Sequence, residues 1–355
     1  MLSRIGQLKR IASRPLDALH SGLCNFTGIQ GRLGLCSLLC VLATLPAGCA
    51  DEIQPHTRLK LAHSLDTGHP VHQAMEFMAS ELEQLSGGSM RLEIHPSGQL
   101  GGERQLIELL QIGSLAMTKV SASPMEGFAP EMKVFSIPYV FRDSDHYWQF
   151  LDSDKGRELL LSLRRVRLRG LVYYDAGSRS FYMTSKPVHS PADLAGQKIR
   201  VQESQTSVKM IDALGGAATP IAWGELYTAL QQGIVDGAEN NPPSFHLSRH
   251  YETAKYYTLD EHTSVPDILL ISEHVWQNLE PQQQRWLAMA AEASAEHQQT
   301  LWKQASAEAL AAVKAAGVEV ITPDKAPFRE AVAPMHASYR GTPAGELMDY
   351  IETMP

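Results

Sequence analysis

The sequence predicts an α/β protein of two lobes, with a cleft between them and one long helix spanning both. Three observations carry that prediction. From Leu59 onward the chain alternates strand and helix signals, which is the order of a mostly parallel, helix-covered sheet. The same order resumes after the midpoint, punctuated by Gly215-Gly216 and Pro242-Pro243. A helical stretch from about Pro281 to Ala316 would then extend roughly 50 Å at about 1.5 Å per residue, more than one small domain can accommodate.

The elements follow in order. Leu59-Lys60-Leu61-Ala62-His63 reads as a strand, and Pro70 stands where a first helical turn tolerates it, ahead of Val71, Met75, Met78, Leu82 and Leu85 at helical spacing. Gly87-Gly88 ends that helix. Met90 to His95 alternates like a strand, and Glu103 to Ile112 carries a stripe of Leu106, Leu109 and Leu110. Asp143 to Leu163 reads as helix, Gly170 to Tyr174 and Lys198 to Val201 as strands, and Thr206 to Leu214 as a helix capped by Gly215. Gly224 to Gln232 is helical, Ile234 to Gly237 a short strand, and Asp267 to Ser272 a strand leading into the long helix. On that helix Trp286, Met289, Ala293 and His297 recur at three- and four-residue steps.

The first fifty residues differ in kind. They hold Arg4, Lys9, Arg10, Arg14 and Arg32 against one acid, Asp17, followed by an apolar run from Leu33 to Pro46. A basic stretch, about a dozen apolar residues and then small residues is the layout of an export signal, and the run is short for a membrane span. Cleavage after Ala50 fits it. Alternatively, Leu45-Pro46-Ala47-Gly48-Cys49 is read as a lipoprotein box with lipid on Cys49. All four cysteines, at 24, 36, 40 and 49, lie in this segment, so the body of the chain has no thiol for a disulfide or a thiolate metal site. The formal net charge is −8, and without the five bases and one acid of this segment the rest of the chain stands near −12, which argues against nucleic acid as a partner.

Motifs for catalysis and cofactors are missing from the sequence: no Gly-x-Ser-x-Gly elbow, no phosphate loop, no Gly-x-Gly-x-x-Gly after a strand and no His-Glu-x-x-His. No cofactor, no catalytic residue and no metal are therefore expected, and the protein is read as a binder rather than an enzyme. In an acidic body, an anion site must rest on individual cations. Arg200, in Lys198-Ile199-Arg200-Val201, shares a strand face with Lys198 near the strand's C-terminal end, where ligands gather in open α/β sheets. Its planar fork matches a carboxylate, the alternative being a structural pair with a helix acid. Arg179, in Gly177-Ser178-Arg179-Ser180-Phe181, is a second candidate after the Tyr173-Tyr174 strand, where the chain would cross between lobes, the alternative being a solvated loop arginine. Asn240 offers an amide, or else builds the Asn-Asn-Pro turn. Trp223 suits the apolar face of a sugar ring or a core, and His63 and Ser64 end the first strand, where pocket groups are expected.

These segments resemble the periplasmic solute-binding proteins of tripartite ATP-independent (TRAP) transporters, of the DctP kind. The resemblance covers Leu59 to Phe328 through Pro96-Ser97-Gly98-Gln99-Leu100-Gly101, Phe135-Ser136-Ile137-Pro138-Tyr139, Gly196-Gln197-Lys198-Ile199-Arg200-Val201, Glu225-Leu226-Tyr227-Thr228-Ala229-Leu230-Gln231 and Val235-Asp236-Gly237-Ala238-Glu239-Asn240. It implies a two-lobed periplasmic binding protein fold, Arg200 as carboxylate clamp with Asn240 beside it, and Arg179 as a second binding arginine. Glu103, Ser121, Glu203, Trp223, Glu239 and His262 match positions that approach the ligand. Tyr174 to Phe181 and Asp260-Glu261-His262-Thr263 look like the sugar-acid members, especially those for uronates such as glucuronate or galacturonate. Dicarboxylates, other sugar acids and service to a sensor kinase are the alternatives, Arg179 being available for a second carboxylate. The implied partners are a small organic acid and the membrane subunits of a TRAP permease. The implied division is a signal over 1–50, lobe I over 58–176 plus about 266–305, lobe II over 177–265 plus about 306–335, and a C-terminal tail over 336–355.

Overall fold

The structure is a computed structural model that describes residues 57–355. The signal, its cleavage site and Cys49 lie outside the described residues. Eleven strands run in chain order: β1 (Thr57–Ala62), β2 (Met90–His95), β3 (Met117–Ser121), β4 (Leu168–Tyr174), β5 (Ser178–Met183), β6 (Lys198–Val201), β7 (Ala217–Pro220), β8 (Gly237–Asn240), β9 (Tyr256–Ser264), β10 (Asp267–Ser272) and β11 (Glu319–Ile321). The helices are α1 (Pro70–Leu85), α2 (Glu103–Gln111), α3 (Ala122–Met125), α4 (Ser144–Leu151), α5 (Asp154–Ser162), α6 (Gln205–Ala213), α7 (Leu226–Gln231), α8 (Pro242–Leu247), α9 (Glu273–Gln277), α10 (Pro281–Ala315), α11 (Ala326–Tyr339) and α12 (Pro343–Thr353).

Two sheets form. The first has the order β2-β1-β3-β10-β4 and the second β11-β9-β5-β8-β6-β7. In each, one strand runs against its neighbours: β10 is antiparallel to β3 and β4, and β5 is antiparallel to β8 and β9. The remaining pairs are parallel, so both sheets need helices on their faces, and the α/β expectation holds. The chain leaves the first sheet after Tyr174, enters the second at Ser178 and returns at Asp267.

Several element boundaries differ from the sequence expectation. The helix over 143–163 is two helices, because Asp143 and Ser153 each cap a start by accepting from the backbone N–H three residues on. The strand near Ile234 begins only at Gly237, where β8 lies so close to β5 that a Cβ would meet the Tyr182 carbonyl at 2.6 Å and the Met183 sulfur at 2.3 Å. Arg179 is in strand β5, not in a loop. Residues 343–353, expected in a tail, form α12 and bury Leu347, Met348 and Ile351.

The long helix is α10, of 35 residues. Its buried face is Leu287, Ala290, Ala291, Ser294, Gln298, Trp302, Ala309 and Val313; the proposed Trp286-Met289 stripe is shifted by one residue, and Met289 is exposed. Small residues on that face let α10 lie close to α1 and β4, where Ser294 Oγ meets the Tyr174 hydroxyl at 2.7 Å. Further along, Val313 packs with Tyr182, Phe245 and Tyr257 of the second sheet's side. Between the two, Gln298 holds both backbone groups of the crossing residue Asp175, accepting from its N–H at 2.7 Å and donating to its carbonyl at 2.8 Å. One helix thus braces both sheets and the short segment that joins them.

Candidate functional site

A cavity opens between the two sheets. From the first sheet's side it is lined by Ser64, Glu103, Lys119, Ser121 and Asp267; from the second's by Arg179, Arg200, Gln202, Trp223 and Asn240. Polar contacts join the two walls around it. Ser121 Oγ donates to Gln202 Oε1 at 3.3 Å, and the His69 Nε2 and Ser244 Oγ pair at 3.3 Å.

Arg200 is 2 % exposed. On β6 its neighbours Ile199 and Val201 enter the hydrophobic core, so the guanidinium faces the cavity. Nε donates to the Ile221 carbonyl at 2.8 Å, which fixes the plane of the fork. Nη1 is buried without a partner, and no carboxylate lies within ion-pair range among the described residues. Beside it stand the neutral Tyr182, bonded at 2.9 Å to His250, and the Trp223 ring, 5.9 Å from the guanidinium carbon. Burial and then the Arg200 charge pull the His250 pKa down to about 3, so that imidazole adds no charge. Burial also draws the Arg200 pKa below the ordinary arginine value. A buried cation without an anion is costly, and an anionic guest that took both Nη groups would relieve that cost.

Arg179 is equally buried but already committed. Nε and Nη2 grip the Glu239 carboxylate, Nη2 also donates to the Glu239 carbonyl at 2.8 Å, and Nη1 donates to Asn240 Oδ1 at 2.8 Å. Four of its five N–H groups are spent, leaving one at Nη1 for the cavity. Burial opposes the charge, but Glu239 raises the Arg179 pKa; in return, against burial, Arg179 holds Glu239 down at about 2. Behind them His262 Nδ1 contacts Asp260 Oδ2 at 2.8 Å, and its Nε2 stands 3.5 Å from Glu239, an electrostatic rather than hydrogen-bonding distance. Despite complete burial, Asp260 and Glu239 lift His262 to about 9. Arg179, Glu239, His262 and Asp260 form a balanced row of alternating charge.

Asn240 ends β8, and its Oδ1 also accepts the Asn241 N–H at 2.9 Å, leaving the amide nitrogen for the cavity. The turn is made by the next residue: Asn241 caps α8 by accepting from Ser244 N–H. On the opposite wall, Glu103 in the first turn of α2 accepts the Ser121 N–H at 3.1 Å and Lys119 Nζ at 3.4 Å, while Lys119 donates to Asp267 at 2.9 Å. Burial opposes the Lys119 charge, yet Asp267 and Glu103 raise its pKa; burial raises that of Glu103 against the pull of Lys119.

Of the residues proposed from sequence, the cavity brings together Arg200, Arg179, Asn240, Glu103, Ser121, Ser64 and Trp223, with the exposed Glu203 at its rim. Glu239 and His262 do not line it; they stand behind Arg179, because that guanidinium draws the carboxylate to itself. His63 does not line it either. It accepts the Leu65 N–H at Nδ1 and meets His72 Nδ1 at 3.0 Å, and burial, then Lys119, takes its pKa down to about 3. Lys119, Asp267, Gln202, His69 and Trp302 are cavity residues that sequence reasoning missed. A lone Lys inside the run Met117-Thr118-Lys119-Val120 was the one available signal.

Residues 61–342 match the family model DctP, bacterial extracellular solute-binding protein, family 7. The chain is 40% identical over 314 residues to the protein YiiZ of Salmonella typhimurium, covering 88% of this chain and 94% of the other. Among solved structures it resembles a TRAP periplasmic solute-binding protein of Pseudomonas putida F1 with bound D-glucuronate, at 38% identity and TM-score 0.81, over 84% of this chain and 97% of that one. A TRAP periplasmic solute-binding protein of a Bradyrhizobium species, in complex with α/β-D-galacturonate, matches at 39% identity and TM-score 0.81, over 84% of this chain and 100% of that one.

Proposed function

The chain belongs to the DctP family of bacterial extracellular solute-binding proteins, and from that premise we propose that it captures a hexuronate, D-glucuronate or D-galacturonate, for a TRAP permease. The observation that carries this reading is Arg200, a buried guanidinium with a free fork and no anion of its own. The carboxylate of the uronate takes the two Nη groups, and the Asn240 amide and the last Arg179 N–H donate to the ligand alongside. Trp223 lies against the ring, and the carboxylates of Glu103 and Asp267 accept hydroxyl hydrogens from the opposite wall.

The division into lobes is proposed as 58–176 plus about 266–305 and 177–265 plus about 306–335. Capture is by closure of these lobes, which seals the acid from water before delivery to the membrane subunits. Binding without chemistry is all that delivery requires, so the ligand is returned unchanged and the protein is not an enzyme. We place it in the periplasm, exported by the segment before residue 51, with a lipid on Cys49 as the tethered alternative. Among the described residues no helix is long and apolar enough to cross a membrane.

Calorimetric titration of the purified protein with glucuronate, galacturonate, succinate and a branched keto acid in one buffer tests the reading. One of the uronates should bind tightest. A tenfold advantage for succinate or the keto acid refutes it.

A further inference from the structure

The two walls of the cavity carry opposite charge. On the second sheet's side Arg179 is neutralised by Glu239, and His262 by Asp260, so among its buried groups Arg200 remains as one unpaired positive charge, while Glu203 stands exposed to solvent at the rim. On the first sheet's side a single ammonium, Lys119, serves two carboxylates: Asp267 at 2.9 Å and Glu103 at 3.4 Å. All three are nearly inaccessible to solvent, with side-chain exposures of 3 %, 9 % and 12 %, so water screens this excess poorly. One negative charge is left over on the wall that faces Arg200. His69 and His63, which also face Lys119, are held neutral by burial and by that ammonium, and burial raises the pKa of Asp175 beside Asp267.

We propose that the Lys119-Glu103-Asp267 cluster is a charge filter, which admits acids carrying one carboxylate and hydroxyl groups at the far end and rejects dianions. The inference rests on the hexuronate reading and deepens it. A hydroxyl brings a hydrogen to the surplus carboxylate oxygens, so it satisfies them. A second carboxylate brings only acceptors and a like charge, in a place where water cannot separate them. Arg179 does not rescue the dianion. With four N–H groups spent on Glu239 and Asn240 it has no fork to offer. Lys119 does not rescue it either, since two anions already share it. The cluster is assembled from α2, β3 and β10, far apart in sequence, and its excess charge is a property of the three residues together.

The test is a calorimetric comparison of D-glucuronate with the dianion D-glucarate on the mature chain, in wild type, Glu103→Gln and Asp267→Asn. Wild type should bind glucarate at least a hundredfold more weakly than glucuronate. Each substitution removes one negative charge at nearly constant shape, so glucarate should gain at least tenfold in absolute affinity while glucuronate does not gain. A gain for glucarate without a gain for glucuronate in one variant separates charge from ring shape, and thermal melting of each variant confirms that it is folded. Glucarate binding to wild type within threefold of glucuronate overturns the filter, as does a failure of glucarate to gain in both variants. If neither glucuronate nor galacturonate binds wild type, the hexuronate reading falls and the filter with it. If they bind and glucarate fails to behave as stated, the filter alone falls.

Discussion

Arg179 and Arg200 stand in the same cavity, both nearly inaccessible, yet they are built for different tasks. Arg179 is surrounded: Glu239 clasps it from one side, Asn240 from another, and His262 with Asp260 extends the row. Arg200 has one backbone carbonyl, an aromatic ring and two neutral neighbours. The saturated arginine is part of the scaffold and the unsaturated one is the receptor. Burial alone does not distinguish them, and sequence context hardly does; the difference is in which donors the fold has already used.

The largest expected effect concerns the saturated partner. Glu239→Ala leaves the Arg179 charge buried and unpaired, so it should destabilise the protein by about 3–5 kcal/mol in chemical denaturation. Arg200→Met should do the reverse. Removing a buried charge that has no partner should leave the melting temperature of the ligand-free protein unchanged or higher, while uronate affinity falls by about 2–5 kcal/mol. Loss of stability in Arg200→Met equal to that in Glu239→Ala would erase the distinction. Arg200→Lys sharpens it further: charge is kept and the fork is lost, so affinity should fall by at least about tenfold, roughly 1.4 kcal/mol.

The fold of the first sheet was largely legible. Its β1-α1-β2-α2 segment has one buried face on each helix, and Gly87-Gly88 and Gly98 bracket β2, so periodicity reports it directly. Strands β5 and β9 escaped because buried positions in them are polar: Arg179, Asp260 and His262 occupy places where a hydrophobic pattern is sought. For the site, single residues near strand ends were readable, as Arg200 and Asn240 were. Pairings were not. Nothing in the sequence ties Lys119 to Asp267, 148 positions away, or says that Glu239 and His262 turn toward Arg179 rather than into the cavity. His63 ends its strand as expected, but its imidazole is taken by Leu65 and His72.

Acidity probes the scaffold half of the comparison. Glu239 is held at about 2, below its unfolded value, so its contribution is complete above about pH 4.5 and is lost as pH falls toward 2. His262 is raised to about 9, so its contribution is complete below about pH 6.5 and is lost as pH rises through 9. The charged row should therefore support the fold fully between about pH 4.5 and 6.5. In melting scans, His262→Gln should flatten the alkaline limb between pH 6.5 and 9; an unchanged alkaline limb would remove His262 from the row. The smallest effect is expected at the seam between the walls. Ser121→Ala removes one neutral hydrogen bond to Gln202 and should weaken uronate binding by about 1 kcal/mol, near fivefold, in the same titration.

The most direct test of the division of labour is a paired titration of D-glucuronate and D-glucose into wild type and Arg200→Met. The two sugars differ at C6, where one carries a carboxylate and the other a hydroxymethyl group. If Arg200 receives the carboxylate, wild type binds glucuronate and discriminates strongly against glucose, and in Arg200→Met that discrimination collapses. If Arg200→Met retains the full preference for glucuronate, the carboxylate is held elsewhere and the account is contradicted.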